Sequence, residues 1–327
     1  MAVPSNTRVT YGAIGIREDL SNIIYNISPT ETPFLSGCGR ETADNTYFEW
    51  QTDALTAAAA NRATEGDDPA STAVSEPTRV GNYTQISVKA VQTSGTAEAV
   101  DFAGRKSSQA YQLAKRAKEM KRDMEKMLMD NVAQSAGAGP SPGPATARAT
   151  GGLGSWVATN YPTLGGAPSP PGLGSASSGN GTDTASDATS TGTLTEAGMK
   201  TVIKERFDSG GTPDTILVGS ANKQVISALT QTVSSLRTDA NRQAPAHVVA
   251  SVDVYVSDFG SFKIIPDRFQ RARDCWFIDF DFWAVAYLRP FQTESLAKTG
   301  DSIKQMIIAE YGLMSKNQAA NGFLADV

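Results

Sequence analysis

The chain has 327 residues, of which 40% are hydrophobic, enough to bury a sizeable core and to fold as two lobes. A formal net charge of −5 excludes wholesale nucleic-acid binding by bulk charge and leaves local basic patches open. No run approaches about eighteen apolar residues, and nothing near Met1 has the order of a signal peptide, so a cytosol-like compartment is expected and no membrane partner. With Cys38 and Cys275 far apart and His247 the single histidine, neither a disulfide framework nor a metal site is expected. Walker, GxGxxG, GxSxG and HExxH patterns do not occur, so the chain reads as non-enzymatic, without a cofactor.

In chain order, Leu20, Ile23, Ile24 and Ile27 fall at i, i+3, i+4 and i+7, which predicts a short helix over Arg17 to Asn26. It is too short to be stable alone. Ser28, Pro29 and Glu31 then have the form of a cap, a first helical residue and a capping-box partner, with Phe34 the large apolar side chain of the turn they start. Strand-like composition follows over Thr46 to Trp50 and Asn82 to Ala99. The stretch between carries Asp53, Glu65, Asp67, Asp68 and Glu76 against Arg62 and reads as the tip of a long β-hairpin. Its EGDD cluster lacks the spaced oxygen ligands of a calcium loop.

A helix is predicted over 103–133, about 45 Å long. Ala110, Leu113, Ala117, Met120, Met124, Met127 and Leu128 share one side, and Lys115, Lys118, Arg122 and Lys126 form a basic stripe on the other. That stripe is either a solvated face or a contact with something negative. The Gly, Ser and Pro of 137–193 have the composition of a flexible linker. Beyond it, Thr195 caps a helix to about Asp208, TILVG is a buried strand running into a helix at Ser220, and VDVYVSDFGSFKIIPDRF forms two strands around Gly260. DCWFIDFDFWAVAYLRPF reads as core strand and turn, since Asp279 and Asp281 make no acid and base pair with any visible partner. One more strand, about Ile303 to Leu313, and a short closing segment complete the chain.

This order of parts, with the phrases REDLSNIIYNISPTETPF, NYTQISVKAVQTSGTAEAV, FWAVAYLRPFQTESLAKTGDS and AEYGLMSKNQAANG, resembles the tailed-bacteriophage major capsid (major head) protein family. The resemblance implies an α+β fold with N-arm, extended β-hairpin loop, long spine helix, peripheral domain and axial α/β domain. Mapped onto this chain, it gives an N-terminal arm over 1–45, an extended loop over 46–80 and a peripheral domain over 81–165. A Gly/Ser-rich loop over 166–193, an axial domain over 194–298 and a return to the peripheral domain over 299–327 follow.

The function it implies is self-assembly into hexamers and pentamers of an icosahedral head shell enclosing double-stranded DNA, in the virion, after assembly in the host cytoplasm. A nanocompartment shell around a protein cargo is the alternative within the fold, and an exported β-rich adhesin the one outside it. Implied partners are other copies of the chain, a scaffolding protein, a portal and a decoration protein. The scaffold is expected to be a separate protein, if there is one, since the arm begins almost at Met1. In such a shell the acidic loop residues would meet Lys115, Lys118, Arg122 and Lys126 of a neighbour, or that stripe would face the phosphates of the packaged DNA. Leu20, Ile23, Ile24, Ile27 and Phe34 would dock the arm along the body and the adjoining subunit.

Overall fold

The structure, a computed structural model, describes residues 28–327 except 63, 67, 69–73, 75, 141–143, 161–178, 185–191, 213, 234–252 and 326. The arm residues Leu20, Ile23, Ile24 and Ile27, the loop residue Asp67 and His247 lie outside the described residues. Two sheets carry the fold. The first combines β1 (Gly39–Thr42), β4 (Gln85–Ser94), β9 (Trp283–Ser295) and β10 (Ser302–Ser315) in the order β1-β9-β10-β4. The second combines β5 (Thr215–Val218), β6 (Val254–Ser257), β7 (Gly260–Pro266), β8 (Asp274–Ile278) and β11 (Gly322–Ala325) in the order β11-β8-β5-β7-β6. A separate antiparallel ribbon, β2 (Tyr47–Thr52) with β3 (Thr78–Tyr83), supports the extended loop.

The helices are α1 (Pro33–Gly37), α2 (Gly95–Ala99), α3 (Ser108–Met129), α4 (Glu196–Asp208) and α5 (Ser220–Val233). At 22 residues α3 is about 33 Å long, shorter at both ends than the predicted 103–133. Its start is fixed by caps: the Ser107 hydroxyl accepts the Ala110 N–H at 3.2 Å, and the Glu98 carboxylate accepts those of Ser108 and Gln109 at 3.1 and 3.2 Å. Glu98 sits on α2, in sequence that reads as a strand running on to Ala99. The Ser107 hydroxyl hydrogen bond is the main reason its carboxyl lies below the usual range. At the other end Asp130 turns extended, and Gly152 packs so close to the Asp130 carbonyl that a Cβ there would approach it to 2.2 Å.

Met120, Met124 and Leu128 are fully buried where α3 lies on the first sheet, and Leu113 and Ala117 pack beside them. Ala110 is exposed, and the first turn instead meets the sheet through buried Gln109, whose Oε1 accepts the Thr93 hydroxyl at 2.6 Å. The core continues without a break into the second sheet through Leu217, Trp276, Ile278 and Phe323. Trp276 stacks on Phe323 with centroids 3.9 Å apart, which joins β8 to β11. Arg206 of α4, fully buried, clamps the same region by donating Nε and Nη2 to the Ala320 carbonyl at 3.0 and 2.6 Å. Burial pulls its guanidinium down to about 9.

Three expectations need correction. The predicted division at residues 298 and 299 does not follow the sheets: Trp283–Ser295 belongs to the first sheet, and Gly322–Ala325 returns to the second by pairing with β8. Alternating apolar residues make a strand equally well in either sheet, so pattern alone did not assign these two. The stretch 150–157 is not linker but core, with Thr150, Leu153, Ser155 and Trp156 fully buried. Its glycines serve close approach and not flexibility. Finally, no helix starts at Pro29; α1 begins at Pro33 and its N-cap residue Thr32 makes no side-chain cap bond.

Candidate assembly surfaces

The extended loop leaves the body on a firm base. Phe48 lies against Gly312 of β10, Trp50 donates Nε1–H to the Ser315 carbonyl at 2.7 Å, and Trp50 packs on Trp156 at 5.4 Å. Tyr47 and Tyr83 pair across the ribbon at 4.6 Å, and Arg79 pairs with Glu49. Beyond Thr52 the body makes no such contacts among the described residues. Leu55 and Val74 are 99% and 90% exposed, and Asp53, Glu65, Asp68 and Glu76 are all in solvent. An apolar and acidic strip held out on an aromatic base is a surface awaiting a partner.

The basic residues of α3 divide by environment. Lys115 and Lys118 are exposed and make no ion pair among the described residues. Lys126 pairs with Asp130 at 3.4 Å, one turn on. Arg122 is half-buried and lays its guanidinium over the Phe269 ring at 5.4 Å, a contact within the chain. Among the described residues none of these cations pairs with the acidic loop of the same chain. Sequence periodicity puts all four on one face, but only tertiary packing sets Arg122 apart.

Phe34 is fully buried and docks on its own chain, 6.1 Å from Trp283 and 6.2 Å from Phe280. The cap that Thr32 does not supply comes from Glu125 of α3, whose carboxyl oxygens accept the N–H groups of Phe34 and Leu35, both at 2.7 Å. Sequence reasoning missed Glu125. Its one signal is a carboxylate placed beside Met124 at the border of the apolar face.

The described residues thus combine an exposed acidic loop on a locked base with a long helix that carries two unpaired cations. The profile of the SU10 major capsid protein family matches residues 3–327. The chain belongs to the SU10 major capsid protein family. The major capsid protein of Escherichia phage Phieco32 is similar, 30% identical over 342 residues that cover 97% of this chain and 96% of that one. Among solved structures, the Cyanophage A-1(L) capsid asymmetric unit aligns with a TM-score of 0.66 at 12% identity, covering 95% of this chain and 97% of that one. The capsid of the native GTA particle aligns with a TM-score of 0.59 at 13% identity, covering 97% of each chain. The fold is thus the tailed-phage capsid fold, and the protein is a structural protein of the virion shell. These matches do not favour the nanocompartment and adhesin alternatives.

Proposed function

We propose that this capsid protein closes its shell through the extended loop, which crosses onto a neighbouring copy and sets its carboxylates against Lys115 and Lys118 of that copy's spine helix. The observation that carries this reading is the 53–77 loop itself, whose described residues are exposed while its base is locked by Phe48 and Trp50. Hexamers and pentamers are the units we assign to the shell, with the second sheet nearest their centres. Double-stranded DNA is the expected content, and a scaffolding protein, a portal and a decoration protein are the expected accessories.

Each exposed pair contributes about 0.2 to 1 kcal/mol, weak singly but repeated around every capsomer. Lys115→Glu with Lys118→Glu is expected to block formation of empty shells, read by size-exclusion chromatography and electron microscopy. Glu65→Lys with Asp68→Lys is expected to restore it. Arg122 is left out of the test because its contact with Phe269 would confound charge with packing. If the helix variant forms shells at full yield but they hold little DNA, the stripe faces the lumen and the pairing is wrong.

A further inference from the structure

Glu125 has no solvent exposure, an expensive position for a carboxylate. On one side it holds the N–H groups of Phe34 and Leu35 at the first turn of α1. On the other it meets Asp267, which directly follows β7 and is 2% exposed. Asp267 Oδ1 accepts the Phe269 N–H at 2.9 Å, whereas its Oδ2 is buried with no hydrogen-bond partner. Two ionised carboxylates facing each other in a dry core repel. One proton between them removes the repulsion and supplies the donor that Asp267 Oδ2 lacks, while each Glu125 oxygen keeps a lone pair for its N–H.

We propose that Glu125 and Asp267 form a proton-dependent clasp joining the N-terminal arm, the spine helix and the second sheet, closed while they share one proton and opened when that proton is lost. The other charged and titratable groups around it do not substitute for the proton. Cys38, on the arm, is a thiol kept neutral by burial and by the nearby Glu125 charge. Arg122, one turn earlier on α3, is occupied with the Phe269 ring, and Lys126 turns outward to Asp130. Arg268 is exposed and gives Asp267 only its backbone N–H. Among the described residues no cation pairs with either carboxyl.

Burial, with the Asp267 charge adding to it, lifts Glu125 to about 7, and burial lifts Asp267 above the usual carboxylate range. Burial is the larger effect and outweighs the two arm N–H bonds, which by themselves favour the ionised carboxylate, so both groups hold protons more tightly in the docked core than in water. Docking is therefore strongest in mild acid and weakens as pH rises from the ordinary carboxylate range through about 7. This clasp lies within one chain, so it stands or falls separately from the loop contact between copies.

The test is hydrogen exchange of the Phe34 and Leu35 amides in the full-length protein, corrected for the intrinsic pH dependence of exchange. A carboxyl that titrates near 7 when docked and at its ordinary value when released makes protection fall about tenfold between pH 6 and pH 8. Glu125→Gln, whose amide donates to Asp267 at every pH but whose single oxygen accepts only one of the two arm N–H groups, is expected to lower protection overall and to hold it constant between those pH values within about twofold. Asp267→Asn removes the facing charge but leaves Glu125 buried and titratable, so it is expected to shrink the fall without abolishing it, and it carries the test if the first variant does not fold. A flat wild-type profile overturns the proposal, and so does a fall of the same size in the variants.

Discussion

Asn82 shows how single residues join the parts of this shell protein. Fully buried, it donates Nδ2–H bonds to the Leu313 carbonyl and the Thr150 hydroxyl at 2.6 and 3.0 Å, and its Oδ1 accepts the Gly151 and Tyr83 N–H groups at 2.9 and 2.8 Å. One amide thus ties the loop ribbon to β10 and to the glycine-rich connector. Asn82→Ala strands buried polar groups that each cost about 1 to 3 kcal/mol, so a loss of at least about 2 kcal/mol is expected in denaturant unfolding. Gly312 tells the complementary story, because a Cβ there would meet the Phe48 ring at 2.5 Å. Gly312→Ala is expected to cost about 1 to 3 kcal/mol by overpacking, and the combination with Phe48→Leu less than the sum. Neither role is visible in composition, since a strand-like pattern places both residues in strands without showing what they touch.

At the scale of elements, α3 is held by its caps and by one apolar stripe. Met120 has no exposure, and Met120→Ala is expected to lower stability by about 2 to 5 kcal/mol, read from the denaturation midpoint. Ser107→Ala, removing the cap, is expected to cost about 0.5 to 2 kcal/mol and to fray the first turn by hydrogen exchange. The apolar periodicity of this helix was legible in sequence because 3.6-residue repetition needs only local spacing. Its true ends were not. They depend on Glu98, which comes from a neighbouring short helix, and on the close approach of Gly152. Likewise α1 is a five-residue helix that survives because Glu125, some 90 residues away in sequence, caps it.

At the scale of the molecule, the two sheets share a core, so the subunit is built to move or resist as one tile around its exposed loop. Shells held by such loops without covalent links are expected to dissociate to single chains in hot detergent. From Asp53 to Val80 there is no lysine to form a bond to a neighbour's side chain. Cys38 and Cys275 are free and buried, and burial raises both thiols, so reductant is expected to change nothing. A ladder of multimers on a denaturing gel would refute this.

The sequence by itself determined most of the order of elements, the hairpin character of the loop, the α4 cap in which the Thr195 hydroxyl accepts the Gly198 N–H, and the buried strand at 215–218. It also carried the family resemblance, because those phrases are contiguous. Tertiary structure alone decided that β9 joins the first sheet and β11 the second, that 150–157 is core, and that Arg122 leaves the basic stripe for Phe269. It alone brought Glu125, Asp267 and the arm together. The reason is range: spacing and capping act over a few residues, whereas strand pairing and the satisfaction of buried polar groups are settled between segments that only the folded chain makes neighbours.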